Sequence, residues 1–395
     1  MLSIEGASGP IVLDIGSSTI RAGFSGASKP SLVANSVIGL NSGEVQFPLF
    51  YDKPLPHVEV KHIGISLQSS NHVDSISDET LSATLNAVLH SEHVGTRASD
   101  DMMLTEANPV LISEPSVQNN TYRQKVIQLL FEKMGARGAF VCKRSVLSAF
   151  SLGKTNAVVL SVGADVTNIS CVAGGHSYPH LTGNWNMAGN AIDREMVTRL
   201  RSQSAAVSFL PKAFHSARDV HASFRTYSES QFVRRMKEDV CRVAENRDLR
   251  VHVENAAYEL PDGTRIDCSR VSQSVPEILF SDKGRSLTSM MKEVIEKCRT
   301  SDENLAQTLL QSVVVCGGTS CMSGFTERVQ NELSHQAFRN EADVKCFSGL
   351  SSADKQHSAW IGGSIVASLG NFNSLWITKR EYEEHGVGIV GKKCP

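Results

Sequence analysis

No stretch of the chain approaches the roughly 20 consecutive apolar residues that a membrane-spanning helix needs, which excludes a helical channel or transporter. The first residues, Met1-Leu2-Ser3-Ile4-Glu5-Gly6, have neither a basic run nor an apolar core, so a secretory leader is not expected. The nine cysteines are odd in number and include no Cys-x-x-Cys pair. Neither a disulfide framework nor a zinc knuckle is expected from them, and the reading is a protein of a reducing, intracellular compartment. An excess of one charge is missing too: 39 Lys and Arg against 41 Asp and Glu leave a net charge of −2. Such a balance gives no electrostatic footprint for direct nucleic-acid binding. Hydrophobic residues at 41% and charged residues at 20% are ordinary for a globular chain, so no large disordered tail is expected. A length of 395 residues exceeds what one compact core holds and suits two large lobes.

What the sequence does contain is one short unit used twice. The first copy runs Val12-Leu13-Asp14-Ile15-Gly16-Ser17-Ser18-Thr19-Ile20-Arg21, and the second Val159-Leu160-Ser161-Val162-Gly163-Ala164-Asp165-Val166-Thr167-Asn168. Each reads as an apolar strand, a small glycine turn and a second strand. Glycine lets backbone N–H groups approach an anion, because no side chain stands between them and a phosphate. One copy alone is most often a tight hairpin; two copies suggest duplicated halves facing each other across a cleft. A third element, Val313-Val314-Val315-Cys316-Gly317-Gly318-Thr319, reads as a strand and glycine turn entering an amphipathic helix at Phe325, where backbone donors favour an anion. It fits neither the dinucleotide-binding fingerprint nor the Walker A pattern.

Elsewhere the periodicity predicts a helix over Thr80–His93 with Asp78 as N-cap, and a longer one over Asn120–Met134 facing inward through Val126, Ile127, Leu129, Leu130 and Phe131. A strand at Ala139–Cys142 precedes a helix from Arg144 to Leu152 that ends at Gly153. A further helix is expected over Gln231–Val243, placing Arg234, Lys237, Glu238 and Cys241 on one face. By itself that charge run reads as a solvated face.

Two phosphate hairpins followed by a late Gly-Gly-Thr resemble the superfamily of actin, sugar kinases and Hsp70 ATPases. Pro109-Val110-Leu111-Ile112-Ser113-Glu114-Pro115, the run Trp360 to Leu369 and the run Trp376 to Glu384 narrow the resemblance to actin and its relatives. It covers most of the chain. It implies an α/β actin fold: two lobes, each with a duplicated ribonuclease-H-like core, and four subdomains around a nucleotide cleft. On that pattern residues 1–35, 76–150 and 340–395 form subdomain 1, 36–75 subdomain 2, 151–187 and 283–339 subdomain 3, and 188–282 subdomain 4. The resemblance implies ATP with magnesium as cofactor, Asp14 holding the metal through water. Gly16, Ser17, Ser18, Arg21, Gly163, Ala164, Asp165, Gly317, Gly318 and Thr319 would hold phosphate and ribose, and Arg234, Lys237, Glu238 and Met322 the adenosine.

The chain also departs from the family pattern. Ser161 stands where the second hairpin of actin has Asp, Arg144 where it has the Gln that positions the attacking water, Arg21 where it has Lys, Met322 where it has Tyr and Gln356 where it has Lys. Phosphoryl transfer needs a cation on the leaving oxygens and an oriented water, so weak binding with little or no hydrolysis is expected, and an empty pseudo-site is the competing reading. The 36–75 stretch and the short charged loop Ser281–Arg285 have none of actin's filament contacts. The Lys-Cys-Pro ending, Cys142-Lys143 and Ser323 to Arg328 look most like the nuclear actin relatives of chromatin-remodelling and histone-acetyltransferase complexes. That implies a nuclear subunit, with room for a cytoplasmic pool. Its expected partners are a motor or scaffold helix, actin and other subunits; nucleosome contact would be indirect, and no membrane is involved. The partner helix is expected against Phe150, Val366, Leu369 and Phe372. The alternative is a cytoskeletal, ATP-cycling actin relative.

Overall fold

The computed structural model describes residues 9–41, 44–47, 56–63, 78–94, 104–116, 120–204, 207–215, 217, 219–247, 257–281, 284–339 and 343–394. Two sheets organise them. The first runs in the order Ile377–Thr378, Gly138–Lys143, Val110–Glu114, Ile11–Ile15, Thr19–Phe24, Leu32–Asn35. The second runs His176–Trp185, Thr167–Ala173, Ala157–Val162, Val313–Cys316, Cys346–Phe347. In both, an antiparallel hairpin extends through its first strand into parallel neighbours. Parallel strands covered on both faces read as continuous apolar runs, and Ile11–Ile15 is buried throughout.

Two main hydrophobic cores sit on these sheets. One gathers residues from Ile11 to Leu147 together with Ala359 to Cys394, the other residues from Val158 to Val344. The chain therefore builds most of one sheet, then the whole of the other, and returns to finish the first. On its return Trp360, fully buried, donates its indole N–H to Val12 O at 3.0 Å.

Two helices join the cores: Arg144–Phe150, which leads out of the first sheet, and Ser352–Ala367, which leads back. They pack closely because Gly362 lies at the crossing. A Cβ there would stand 1.7 Å from Leu147 O. Ser148 Oγ and Ser358 Oγ meet at the same contact, 3.1 Å apart. Gly153, at a φ of 66°, ends the outward connection as its place in the sequence suggests.

A small sheet of Glu44–Phe47, Val37–Asn41 and Glu59–His62 occupies part of the 36–75 stretch, and Val37 and Val60 pack on Phe224 and Tyr227. The remainder of that stretch, 42–43, 48–55 and 64–75, lies outside the described residues, as do 282 and 283 of the short charged loop.

Several element boundaries differ from expectation. Asp78 is the first residue of the helix Asp78–Leu89 rather than its cap. The Asn120–Met134 helix is an α-helix over Asn120–Gln128 that widens into a π turn over Leu129–Lys133, with all five expected core residues buried. The helix expected from Gln231 begins at Ala222 and ends at Val240, because its first turns are too polar to show an apolar period. The Gly-Gly-Thr turn does not open a helix directly. A 3-10 turn over Gly318–Cys321 follows it, and the helix Phe325–Glu332 starts beyond Gly324, at a φ of 78°.

Candidate functional site

Strand register builds the site. In the first hairpin Asp14 lies opposite Arg21 and Ile15 opposite Ile20, and the Gly16 N–H closes the turn on Thr19 O at 2.9 Å. In the second, Ser161 lies opposite Asn168 and Val162 opposite Thr167, and the Gly163 N–H closes on Val166 O at 3.1 Å. The two turns correspond residue for residue, which puts Ser161 in the place of Asp14.

The third turn docks on the second. Gly317 has a φ of 95°, and a Cβ on it would meet Val162 O at 2.4 Å, so no other residue fits. Thr319 Oγ1 donates to Gly163 O at 2.7 Å. The three turns and the Ala222–Val240 helix enclose a cavity of about 960 Å³, within the size range of small-molecule sites. Gly16, Ser17, Ser18, Arg21, Gly163, Ala164, Asp165, Arg234, Lys237, Glu238, Gly317, Gly318, Thr319 and Met322 all line it, with Asp14 at its base.

The electrostatics differ from the sequence expectation. Asp14 Oδ1 accepts from Ser113 Oγ at 2.5 Å and Arg144 Nε at 2.9 Å, and Oδ2 accepts from Arg21 Nη1 at 3.1 Å. Arg144 is fixed further by Nη2, which donates to Ile15 O at 2.8 Å. Burial alone would raise the Asp14 carboxyl, but Arg144 and then Arg21 outweigh it and hold it at about 2. The other side of Arg21 donates from Nε to His357 Nδ1 at 2.7 Å. Burial, and then Arg21, push His357 down to about 4, so near neutrality it is an uncharged acceptor.

On the opposite wall the expected charged face divides. Arg234 reaches across to donate to Ser18 Oγ. Lys237 is committed to Asp193 Oδ1 at 2.9 Å and to Gly189 O at 3.1 Å. Glu238 is exposed, whereas Cys241 is fully buried in the second core and takes no part in the cavity. Asp165 accepts from Asn190 Nδ2 at 2.5 Å. Sequence reasoning missed Arg235 and Arg242, which also line the cavity, and Ser113 and His357, which hold Asp14 and Arg21. Arg235 and Arg242 were legible as neighbours of the charged run; the other two carry no local signal.

Backbone turns and cationic side chains suit phosphate. A divalent cation does not fit. Both oxygens of Asp14 are taken by a hydroxyl and two guanidinium groups, and the matching residue of the second hairpin is a serine. Among the described residues no group of three or more His, Cys, Asp or Glu could hold a metal ion. The Asp14 that the resemblance assigns to magnesium is held here by two arginines, one of them standing where the resemblance places the family's Gln.

A sequence model of the family described as Actin matches residues 6–395. The chain belongs to the actin family. Its mixed α/β architecture is the actin fold. The chain is similar to Actin-related protein 4 of Oryza sativa subsp. indica, 27% identical over 98% of each chain. It is likewise similar to Actin-related protein 4 of Arabidopsis thaliana, 26% identical over 98% of each. Nucleotide binding is general in the actin family, and the cleft between the two sheets has the donor set for it.

The expected partner groove is only partly present in this actin relative. Phe372 is buried against Phe140 and Trp376, at ring-centre distances of 4.9 and 5.1 Å, and Val366 belongs to the same core. Val366 is on the buried side of the Ser352–Ala367 helix, whereas Phe372 is core because that helix stops before it and it sits on a separate 3-10 turn. Leu369 does face out, together with Ile365 and Leu375.

Proposed function

We propose that this chain is a non-filament-forming, actin-related structural and regulatory subunit of nuclear chromatin-remodelling or histone-acetyltransferase complexes. On this reading it holds nucleotide weakly and hydrolyses it little or not at all. One observation carries the catalytic half: Arg144 occupies the position from which actin orients the attacking water, and it is bound to Asp14 and Ile15 O instead. A guanidinium accepts no hydrogen bond and takes no proton, so it cannot orient water as an acceptor. Positioning and charge stabilisation supply nearly all of phosphoryl-transfer catalysis, and loss of one such group costs on the order of 10²-fold.

The assembly half rests on the likeness to proteins named Actin-related protein 4 and on the motifs shared with nuclear relatives. Its partners are a helix of a motor or scaffold subunit, actin itself and further subunits, with nucleosome contact made through them. Exposed Ile365, Leu369 and Leu375 support a docking face for that helix. The four-subdomain division given by the resemblance is part of the same proposal. No helix among the described residues is long and apolar enough to cross a membrane.

A single-turnover assay with labelled ATP tests the catalytic half. Nucleotide recovered intact is the expected result; cleavage as fast as that of assembled actin, abolished by changing Asp14, would overturn it. Affinity purification with identification of co-purifying subunits tests the assembly half, and recovery of filament-associated partners alone would refute it.

A further inference from the structure

Building on the nucleotide reading above, we propose that the Arg21–Asp14–Arg144 cluster takes the place of the divalent cation, so that this cleft binds its polyphosphate ligand free of metal. A divalent cation in a phosphate site neutralises oxygens, and it needs oxygen ligands of its own to stay there. Here the oxygens of Asp14 are occupied by guanidinium groups at 2.9 and 3.1 Å. Two fixed cations and one carboxylate leave a net positive charge at the base of the first phosphate turn. Asp14 offsets one of the two positive charges, and its oxygens, covered by three donors, are turned to those donors rather than to an incoming anion.

The remaining walls extend the same sign. Arg234, Arg235 and Arg242 face the cavity against Asp165 and Glu238, while Lys237 is matched by Asp193. A hydrated magnesium ion entering this pocket meets repulsion; a di- or triphosphate without metal supplies the missing negative charge. The guanidinium groups are also preorganised. Arg144 is tied to Ile15 O and Arg21 to His357, so little ordering is left for the ligand to impose. The ligand class is a nucleoside di- or triphosphate bound as the free anion.

The test is equilibrium binding of a fluorescent ATP analogue to the purified full chain, in excess EDTA and in excess magnesium chloride. Dissociation constants agreeing within roughly threefold are expected. A loss of roughly tenfold or more in EDTA would overturn the inference and leave the nucleotide site standing. Absence of binding in both buffers would overturn the nucleotide reading and this inference together. The double variant R21K/R144Q, which restores the family's Lys and Gln, is expected to bind roughly tenfold more weakly in EDTA and to recover with magnesium. Unchanged, metal-independent binding by a folded double variant would refute the role of the cluster. Should that variant not fold, exposed Arg235 gives the second measurement. R235Q should weaken binding in EDTA at least as much as in magnesium, and weakening confined to magnesium would count against a metal-free ligand.

Discussion

Replacing Gly362 by Ala adds one methyl group at the contact between the two helices that join the cores. The added Cβ would sit 1.7 Å from Leu147 O and 2.6 Å from the Leu147 carbonyl carbon, whereas real Cβ contacts are essentially never under 3.0 Å. The obstacle is backbone, so no side-chain rotation relieves it; one helix must move. Neighbours resist that movement. Gly363 would bring a Cβ to 2.7 Å from Val12 Cγ1, and Trp360 is held by its bond to Val12 O. Overpacking of this kind costs about 3 kcal/mol or more. Opposing it, Ala is favoured over Gly inside a helix by about 1 kcal/mol. The net loss is therefore about 2 kcal/mol at least, and for a chain of this size the melting temperature should fall by roughly 2–3 °C or more. Circular dichroism at increasing temperature measures it. Gly391→Ala is the control, since a Cβ there meets nothing within 4 Å. If Gly362→Ala melts together with the wild type, the helices do not pack as closely as described and the reasoning fails.

His357 gives a pH prediction. Burial and then Arg21 lower its pKa to about 4, against the opposing pull of Asp14 and Asp354. Between the unfolded value near 6.5 and about 4 the unfolded chain binds the extra proton, so this contribution is complete above 6.5 and lost as pH falls towards 4. His357→Asn should flatten the fall in urea midpoint over that window, and an unchanged slope would show that another group sets it. Arg328 is 1% exposed and forks onto Glu277 at 2.9 Å while its Nε holds Glu332 at 2.7 Å. Arg328→Ala leaves Glu332 without one of its cations, and a loss of about 3–5 kcal/mol is expected in denaturant unfolding. Leu369→Glu, alone or with Ile365→Glu, should leave the melting temperature unchanged and abolish co-purification of the partner subunits; retained association would place the partner elsewhere. Phe372→Glu should instead unfold the first core, seen as loss of the cooperative melt.

The three glycine turns were legible because their geometry is local. A glycine that must accept a φ of 95°, or whose Cβ would stand 2.4 Å from a neighbouring carbonyl oxygen, leaves its mark in the residue type alone. The same holds for the duplicated hairpin, whose equivalence needs only a constant distance from strand to turn. What was not legible depends on pairs far apart in the chain. Arg144 and Asp14 are separated by 130 positions, and nothing near either tells that a guanidinium covers the carboxylate. Lys237 likewise reads as a ligand-facing cation until Asp193, on the preceding helix, claims it. Phe372 looked like a groove residue from its three-residue spacing, yet the helix that would have justified the spacing ends at Ala367.

A ribosome delivers this chain in one direction, at about 5–20 residues per second. Strands Ile11–Ile15 through Gly138–Lys143 emerge early, but Trp360 and the edge strand Ile377–Thr378 follow about 200 residues later. That delay is on the order of 10–40 s. Throughout it Gly138–Lys143 has a bare edge, and Val12 O waits for the indole that will satisfy it. Unpaired edges beside uncovered apolar surface are where nascent chains aggregate. The second sheet, made from one uninterrupted stretch between Ala157 and Phe347, can close while still tethered. The lobe begun first is thus finished last, and a chaperone that shields it acts during translation rather than after release.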